Sequence, residues 1–479
     1  MAFLTKAANR GSIATGYDIE NSLKFEPDNS EYLSITNTSA GNRRTATYSF
    51  WLKRTELDAS SYMQVAGLFT TSETTRFMFY QDHIMLENGN GGTRKRLTTN
   101  AVYRDTSAFY HFVVAIDTTQ STAANRVKLY VNGVQETSFS TEEYPDQNFD
   151  LSIGQSGTNF PWRYGGYDAT YYKIAGYLAE AHYIDGTQYA ASDFGEFDED
   201  SGIWKPKQFT GNYGTQGSYL NFSDASNLGA NPKGSDIDAV LNNITSADQA
   251  LDTPTNNFCT LLATSPSASY YKRVKDGGTS YQSVTNAWAS CWSTIPLYSG
   301  KWYAEFKRTS AGTGGNIFVG AGGIDENLYY YNIIFVGHNG TGTTFSVGLY
   351  SLNGDFYSGS GVTGSSYATG DIICLAVDQD NGAIYFRKNN NAWMGDGTNA
   401  GNPASGASRT GAQIIDWGTA TNIAIANYAN TDETEANYGG YSCMSNSRTY
   451  TDDNGYGLFV FEPPTGYLAI CSKNLAEYG

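Results

Sequence analysis

One stretch constrains the fold of this chain more than any other. Phe109-Tyr110-His111-Phe112-Val113-Val114-Ala115-Ile116-Asp117 is a nearly unbroken apolar run, followed by a polar turn from Thr118 to Ala124. Arg126-Val127-Lys128-Leu129-Tyr130-Val131 then alternates with period two and ends at Asn132-Gly133. Asn-Gly between two strand-like runs is the strongest short hairpin signal, because both turn residues take positive φ. The first run therefore reads as a strand buried on both faces or central in its sheet, the second as a half-buried strand, and Val134 to Phe139 as its antiparallel neighbour.

The rest of the chain uses the same vocabulary. Strand patterns recur at Ser22 to Phe25, Tyr32 to Ile35, Thr45 to Lys53 and Lys173 to Ile184, and again at Gly300 to Phe306, Asn316 to Ala321, Asn332 to Gly337, Asp371 to Val377 and Ala383 to Lys388. Aromatic residues make up 14% of the chain and Gly is abundant at 52, whereas helix formers at helical spacing are sparse, so the class is all-β. A chain of 479 residues exceeds one ordinary core and divides into domains. The expected organisation is an N-terminal arm (1–22), a sandwich (23–195), an acidic and Gly-rich connector (196–257) and a second sandwich (258–479). The arm is too short and polar to bury a core alone, so it is expected to order on a partner.

Charge and cysteine usage exclude several functions. A net charge of −17 argues against a nucleic-acid surface, and the one basic knot, Arg94-Lys95-Arg96, reads as a solvated hairpin tip. The five cysteines form neither a disulfide framework nor a Cys-x-x-Cys zinc spacing, and Cys374 and Cys471 lie in apolar strand patterns as reduced, buried thiols. Residues 1–19 lack the apolar core of a signal peptide, and nothing approaches the ~20 apolar residues of a membrane span.

Chemistry is equally sparse. Retaining glycoside hydrolysis needs two carboxylates about 5 Å apart, at i and i+2 or i+4 on a strand. The nearest match, Glu196-Phe197-Asp198-Glu199-Asp200, lacks the third carboxylate of a strand-borne set and falls in the expected connector. Of the four His residues, His111 and His182 sit in core-like strands, where a hydrogen-bonded structural role is expected. No catalytic residues and no cofactor are assigned. Asp82 or Asp168 could serve a bound calcium ion in the first module, but one carboxylate does not make a metal site. Candidate ligand-binding residues are Trp162, Tyr164, Tyr167 and Asp168 in the loop Phe160 to Asp168, and Tyr329, Tyr330 and Tyr331 in a second aromatic loop. Rings beside Gly, Asn and Asp suit stacking on sugar faces, and equally mark protein interfaces.

Phe109 to Gln135, Ser49 to Arg54 and Gly176 to Gly186 resemble the central hairpin, an upstream strand and the last strand of laminin-G-like, concanavalin A-like modules. Gly300-Lys301-Trp302-Tyr303-Ala304-Glu305, Gly370 to Asp378 and Gly382 to Asn389 resemble a SPRY domain, apart from long Gly/Ser/Asn insertions such as Asn399 to Gly411. These resemblances imply two antiparallel, jelly-roll-like β-sandwiches in series. Asn21 to Phe25, Leu251 to Phe258 and Pro463 to Leu475 together resemble structural proteins of marine and aquatic tailed phages. That resemblance implies a non-enzymatic part of a tail fibre, spike or capsid appendage, assembled in the host cytoplasm and released by lysis. Its expected partners are other virion proteins, reached through the arm, further copies of itself, and a host-surface glycan. A capsid-decorating or tail-scaffolding protein is the alternative, and a polysaccharide depolymerase carries little weight.

Overall fold

The computed structural model describes residues 16–57, 62–90, 93–235, 237–262, 272–284, 286–312, 315–323, 346–357, 362–416, 418 and 420–479. They fall into two compact units that divide between Thr255 and Asn256. Both are built almost entirely from antiparallel strands.

In the first unit, one sheet runs in the order Val134–Glu136, Val127–Val131, Tyr110–Asp117, Thr45–Arg54, Gly176–Asp185, Ser22–Phe25 and Gln249–Ala250, with Ser218–Leu220 also on Gly176–Asp185. The facing sheet runs Phe139–Glu142, Thr93–Val102, His83–Asn90, Thr74–Tyr80, Tyr62–Phe69, Trp162–Tyr164, Tyr32–Ile35 and Val240–Asn242. Alternate side chains of each strand enter the space between the sheets. Phe50 and Phe112 from one sheet meet Phe77 from the other at ring-centroid distances of 5.2 and 5.1 Å. The expected hairpin forms with Val131 opposite Val134, and Asn132 and Gly133 take φ of 47° and 80°.

The segment expected to be a connector does not behave as one. Ser218–Leu220, Val240–Asn242 and Gln249–Ala250 add to both sheets of the first unit, and Gly195–Phe197 pairs with Trp204–Pro206 as a two-stranded ribbon. These strands are two or three residues long, too short to show a period of their own, and exist because a sheet edge or a partner strand satisfies their backbone. The arm also needs correction over its described part. Ile19 is buried against Trp51 and Ala179, and its backbone exchanges hydrogen bonds with the Thr255 hydroxyl. Tyr17 donates to Glu180 at 2.9 Å. The basic knot is tethered too: Arg94 and Arg96 reach the buried Glu87 carboxylate at 3.6 and 2.8 Å, where Arg76 is already bound at 2.9 Å.

The second unit pairs a sheet centred on Lys301–Ser310 and Ile372–Asp378 with a five-stranded sheet centred on Thr421–Asn427 and Ile317–Gly323. Trp302, Leu375 and Phe386 of the first pack with Val319, Ile423 and Ile425 of the second in one core. The chain ends in a short helix, Ser472–Tyr478. Cys374 and Cys471 are buried thiols, and desolvation pushes both up to about 12. No described helix is long and apolar enough to cross a membrane.

Candidate functional site

The aromatic loop near residue 162 is not the display surface its composition suggests. Trp162–Tyr164 is a short strand inserted between Tyr62–Phe69 and Tyr32–Ile35. Side chains alternate across a sheet, so Trp162 and Tyr164 point together into the sandwich, 8% and 0% exposed, and Trp162 packs on Tyr48 and Tyr183. They are core residues. Tyr167 is half-buried, edge-on to Phe69 at 5.1 Å with the Arg163 guanidinium over its ring. Asp168 accepts from the backbone N–H groups of Thr170 and Tyr171, which commits one of its carboxylate oxygens to the turn. Tyr329, Tyr330 and Tyr331 lie outside the described residues. No group of three or more His, Cys, Asp or Glu positioned for a metal ion occurs among the described residues.

An aromatic groove occurs elsewhere in the first unit, where the Asn132-Gly133 turn meets the ribbon of Gly195–Phe197 and Trp204–Pro206. It has a volume of about 330 Å³ and is lined by Tyr130, Trp204 and Phe197, with Ser192, Glu196 and Lys207 supplying polar groups. Phe197 is 51% exposed and meets the Trp204 ring edge-to-face at 4.9 Å. The ribbon turn is fixed by Asp198, whose carboxylate accepts from Ser201 N–H and hydroxyl and from Lys205 Nζ. The hydrogen bonds from Ser201 hold that carboxylate down at about 2, so the turn stays locked across the physiological pH range.

Trp204 is held from behind by a buried relay. Its indole N–H donates to His111 Nδ1 at 3.0 Å, and His111 Nε2 lies 2.8 Å from the Ser49 hydroxyl. An indole nitrogen only donates, so Nδ1 must be the acceptor and Nε2 must carry the imidazole proton. Burial, with His182 nearby, pushes His111 down to about 3, so the ring stays neutral and the tautomer fixed. Trp51 stacks on His111 at 4.6 Å. Two glycines make room for the indole. A Cβ at Gly133 or Gly195 would stand 2.3 or 2.4 Å from Trp204 ring atoms, closer than any side chain allows.

This arrangement suits recognition. The groove is lined by both aromatic rings and side chains able to donate or accept, and its volume is at the small end of ligand sites. Glu196 is the one carboxylate among the lining residues, so the groove lacks the carboxylate pair of a retaining or inverting glycosidase. His182 is structural as expected. It stacks on Tyr219 at 4.7 Å, with Nδ1 2.8 Å from the Tyr213 hydroxyl. Sequence reasoning missed Trp204 and Phe197 because they fell in the polar segment after the last long strand. The available signal was a pair of aromatic-flanked triplets, Gly195-Glu196-Phe197 and Trp204-Lys205-Pro206, around an Asp/Ser/Gly turn.

Residues 27–169 match the family model described as the Concanavalin A-like lectin/glucanases superfamily. The first unit is a lectin-like β-sandwich. No curated protein matches the chain. Among solved structures, the SPRY domain of human HERC1 is similar at 15% identity, covering 34% of this chain and 91% of its own, with a TM-score of 0.26. A native heptameric SAP-like pentraxin from Limulus polyphemus is similar at 14% identity, covering 36% of this chain and 80% of its own, with a TM-score of 0.27.

Proposed function

We propose that this protein is a non-enzymatic component of a tailed-phage virion, in a fibre, spike or capsid appendage, and that its first unit binds a glycan of the host surface in the Trp204 groove. The observation that carries the binding reading is the groove itself, an indole beside an exposed Phe197, with Glu196 and Lys207 among the residues that line it. An indole face covers the C–H surface of a pyranose, and the rim groups satisfy its hydroxyls. The virion reading is supported by the sequence resemblance of the chain's opening, joint and closing segments. Attachment to other virion proteins then belongs to the residues preceding Tyr17, since Tyr17 and Ile19 are committed to the sandwich.

The test is Trp204→Ala in an otherwise normal particle. Adsorption to host cells and binding to purified host polysaccharide should weaken by several-fold to about tenfold, the value of one ring stack, with particle assembly unchanged. A loss of assembly with adsorption intact would favour a capsid-decorating or scaffolding role. Release of reducing sugars by the pure protein would overturn the non-enzymatic reading.

A further inference from the structure

Across the facing sheet of the first unit, one row of residues is paired from strand to strand: Arg163 with Gly67, Gly67 with Arg76, Arg76 with Glu87 and Glu87 with Arg96. Paired residues share a face, and their chain neighbours Tyr164, Leu68, Phe77, Leu86 and Leu97 belong to the core, so this row looks away from it. Arg94 stands in the next row on the same face, opposite Gly89. Three guanidiniums converge on Glu87, from Arg96 at 2.8 Å, Arg76 at 2.9 Å and Arg94 at 3.6 Å. No other carboxylate of the described residues lies within ion-pair distance of them. Three guanidiniums against one carboxylate leave two positive charges uncompensated, in a chain whose net charge is −17. Burial alone would raise the Glu87 carboxyl, but Arg76 and Arg96 hold it below the usual carboxylate range, so it stays ionised.

We propose that this arginine row is a second ligand site of the first unit, separate from the Trp204 groove, and that it takes a carboxylate of an acidic polysaccharide. The donors are held in place by rings. The Arg76 and Arg94 guanidiniums lie 4.3 and 5.2 Å from the centre of the Phe69 ring, and that of Arg163 lies 5.3 Å from Tyr167, which meets Phe69 edge-on. They are also within reach of solvent, since the side chains of Arg94 and Arg96 are 33% and 42% exposed. Arg96 gives only its Nε to Glu87, which leaves both of its terminal amino groups to donate elsewhere. A guanidinium fork matches a planar carboxylate, and Glu87 already takes two N–H groups of Arg76. The field of the whole chain repels polyanions, so binding of one has to come from a local surplus such as this. That a polysaccharide bears the carboxylate rests on the glycan reading above.

Polygalacturonate titrated into the full chain should bind, more weakly as salt is added, and neutral dextran should not. Arg94→Gln and Arg96→Gln should each weaken that binding by several-fold to about tenfold, with thermal melts showing both variants folded. Lys95→Gln removes the same charge from the same strand but from the opposite face, and should leave binding unchanged. Trp204→Ala should leave it unchanged as well. If Trp204→Ala weakened polygalacturonate binding and the arginine variants did not, this proposal would fall and the groove reading would stand. If binding followed the arginines while host polysaccharide ignored Trp204→Ala, the groove reading would fall alone. An equal loss in Lys95→Gln would reduce the effect to net charge and overturn the site. No binding of polygalacturonate, or tighter binding of dextran sulfate, would overturn the carboxylate assignment.

Discussion

In both units the end of the chain segment returns to its beginning, but the fastening differs. In the first, Lys24 Nζ is held by Glu31 at 3.2 Å and by Asp248 at 2.8 Å, and Lys53 Nζ by Asp252 at 2.8 Å, all nearly or fully buried. In the second, the closing segment is caught by carboxylates that accept mostly from neutral donors. Glu305 accepts from Val460 N–H, Phe461 N–H, Asn437 and Tyr303, and Asp452 accepts from Ala469 N–H and Asn474. The difference lies in what a single loss leaves behind. Removing one member of a buried ion pair takes the opposite charge from a buried ion, whereas removing an acceptor takes it only from neutral N–H and O–H donors.

The largest expected effect follows from the first fastening. Asp252→Ala should destabilise the first unit by about 3–5 kcal/mol, because the buried Lys53 ammonium loses the carboxylate that faces it at 2.8 Å, while Lys53→Met combined with Asp252→Leu should recover most of the loss. Urea unfolding followed by fluorescence reads this directly. If the single variant cost no more than a surface change, the contrast between the two units would collapse. Next in size is Glu305→Ala, expected to cost about 1–3 kcal/mol in the second unit through the stranded N–H groups of Val460 and Phe461. Calorimetry should show that change without a shift in the transition of the first unit.

Gly195→Ala probes the same segment at the site. The new methyl group would collide with the Trp204 ring, so the ribbon must move and glycan binding should fall, by about tenfold if the indole stack is lost. Binding at wild-type strength would show that the ring position is not set by this contact.

The smallest effect is one of pH. Glu435 of the second unit is pushed up to about 7, chiefly by burial and then by Glu433 and Asp276 against the pull of Lys307. A carboxyl with a raised folded-state pKa binds its proton more tightly when folded. Its contribution is therefore fully present below about 4.5 and is lost as pH rises through about 7. Glu435→Gln should thus flatten the decline in second-unit stability over that window, and thermal melts of both proteins at pH 4.5 and 7.5 would measure the difference.

How much of this was legible beforehand depends on the length of the element concerned. The ten residues of Gly176–Asp185 and the Asn132-Gly133 hairpin announce themselves, and so does the structural role of His111, because its strand is apolar on both sides. Trp162–Tyr164 did not. Three residues between Pro161 and Gly165 look like a loop, and only the strands on either side make them a strand. Nothing in the sequence pairs Lys24 with Asp248 or Lys53 with Asp252; the returning segment buries them against one another.

The all-β class, the hairpins and the long strands were legible in the sequence, since these follow from side-chain period, turn chemistry and run length along the chain. Tertiary structure alone decided that residues 196–255 belong to the first sandwich, that Trp162 and Tyr164 face inward, and that Trp204 stands beside Gly133 and Gly195 to floor a groove. The physical reason is that a two- or three-residue strand has no stability of its own. Its existence and the face each residue presents are set by the partners that satisfy its backbone, and those partners are tens to hundreds of residues away in sequence.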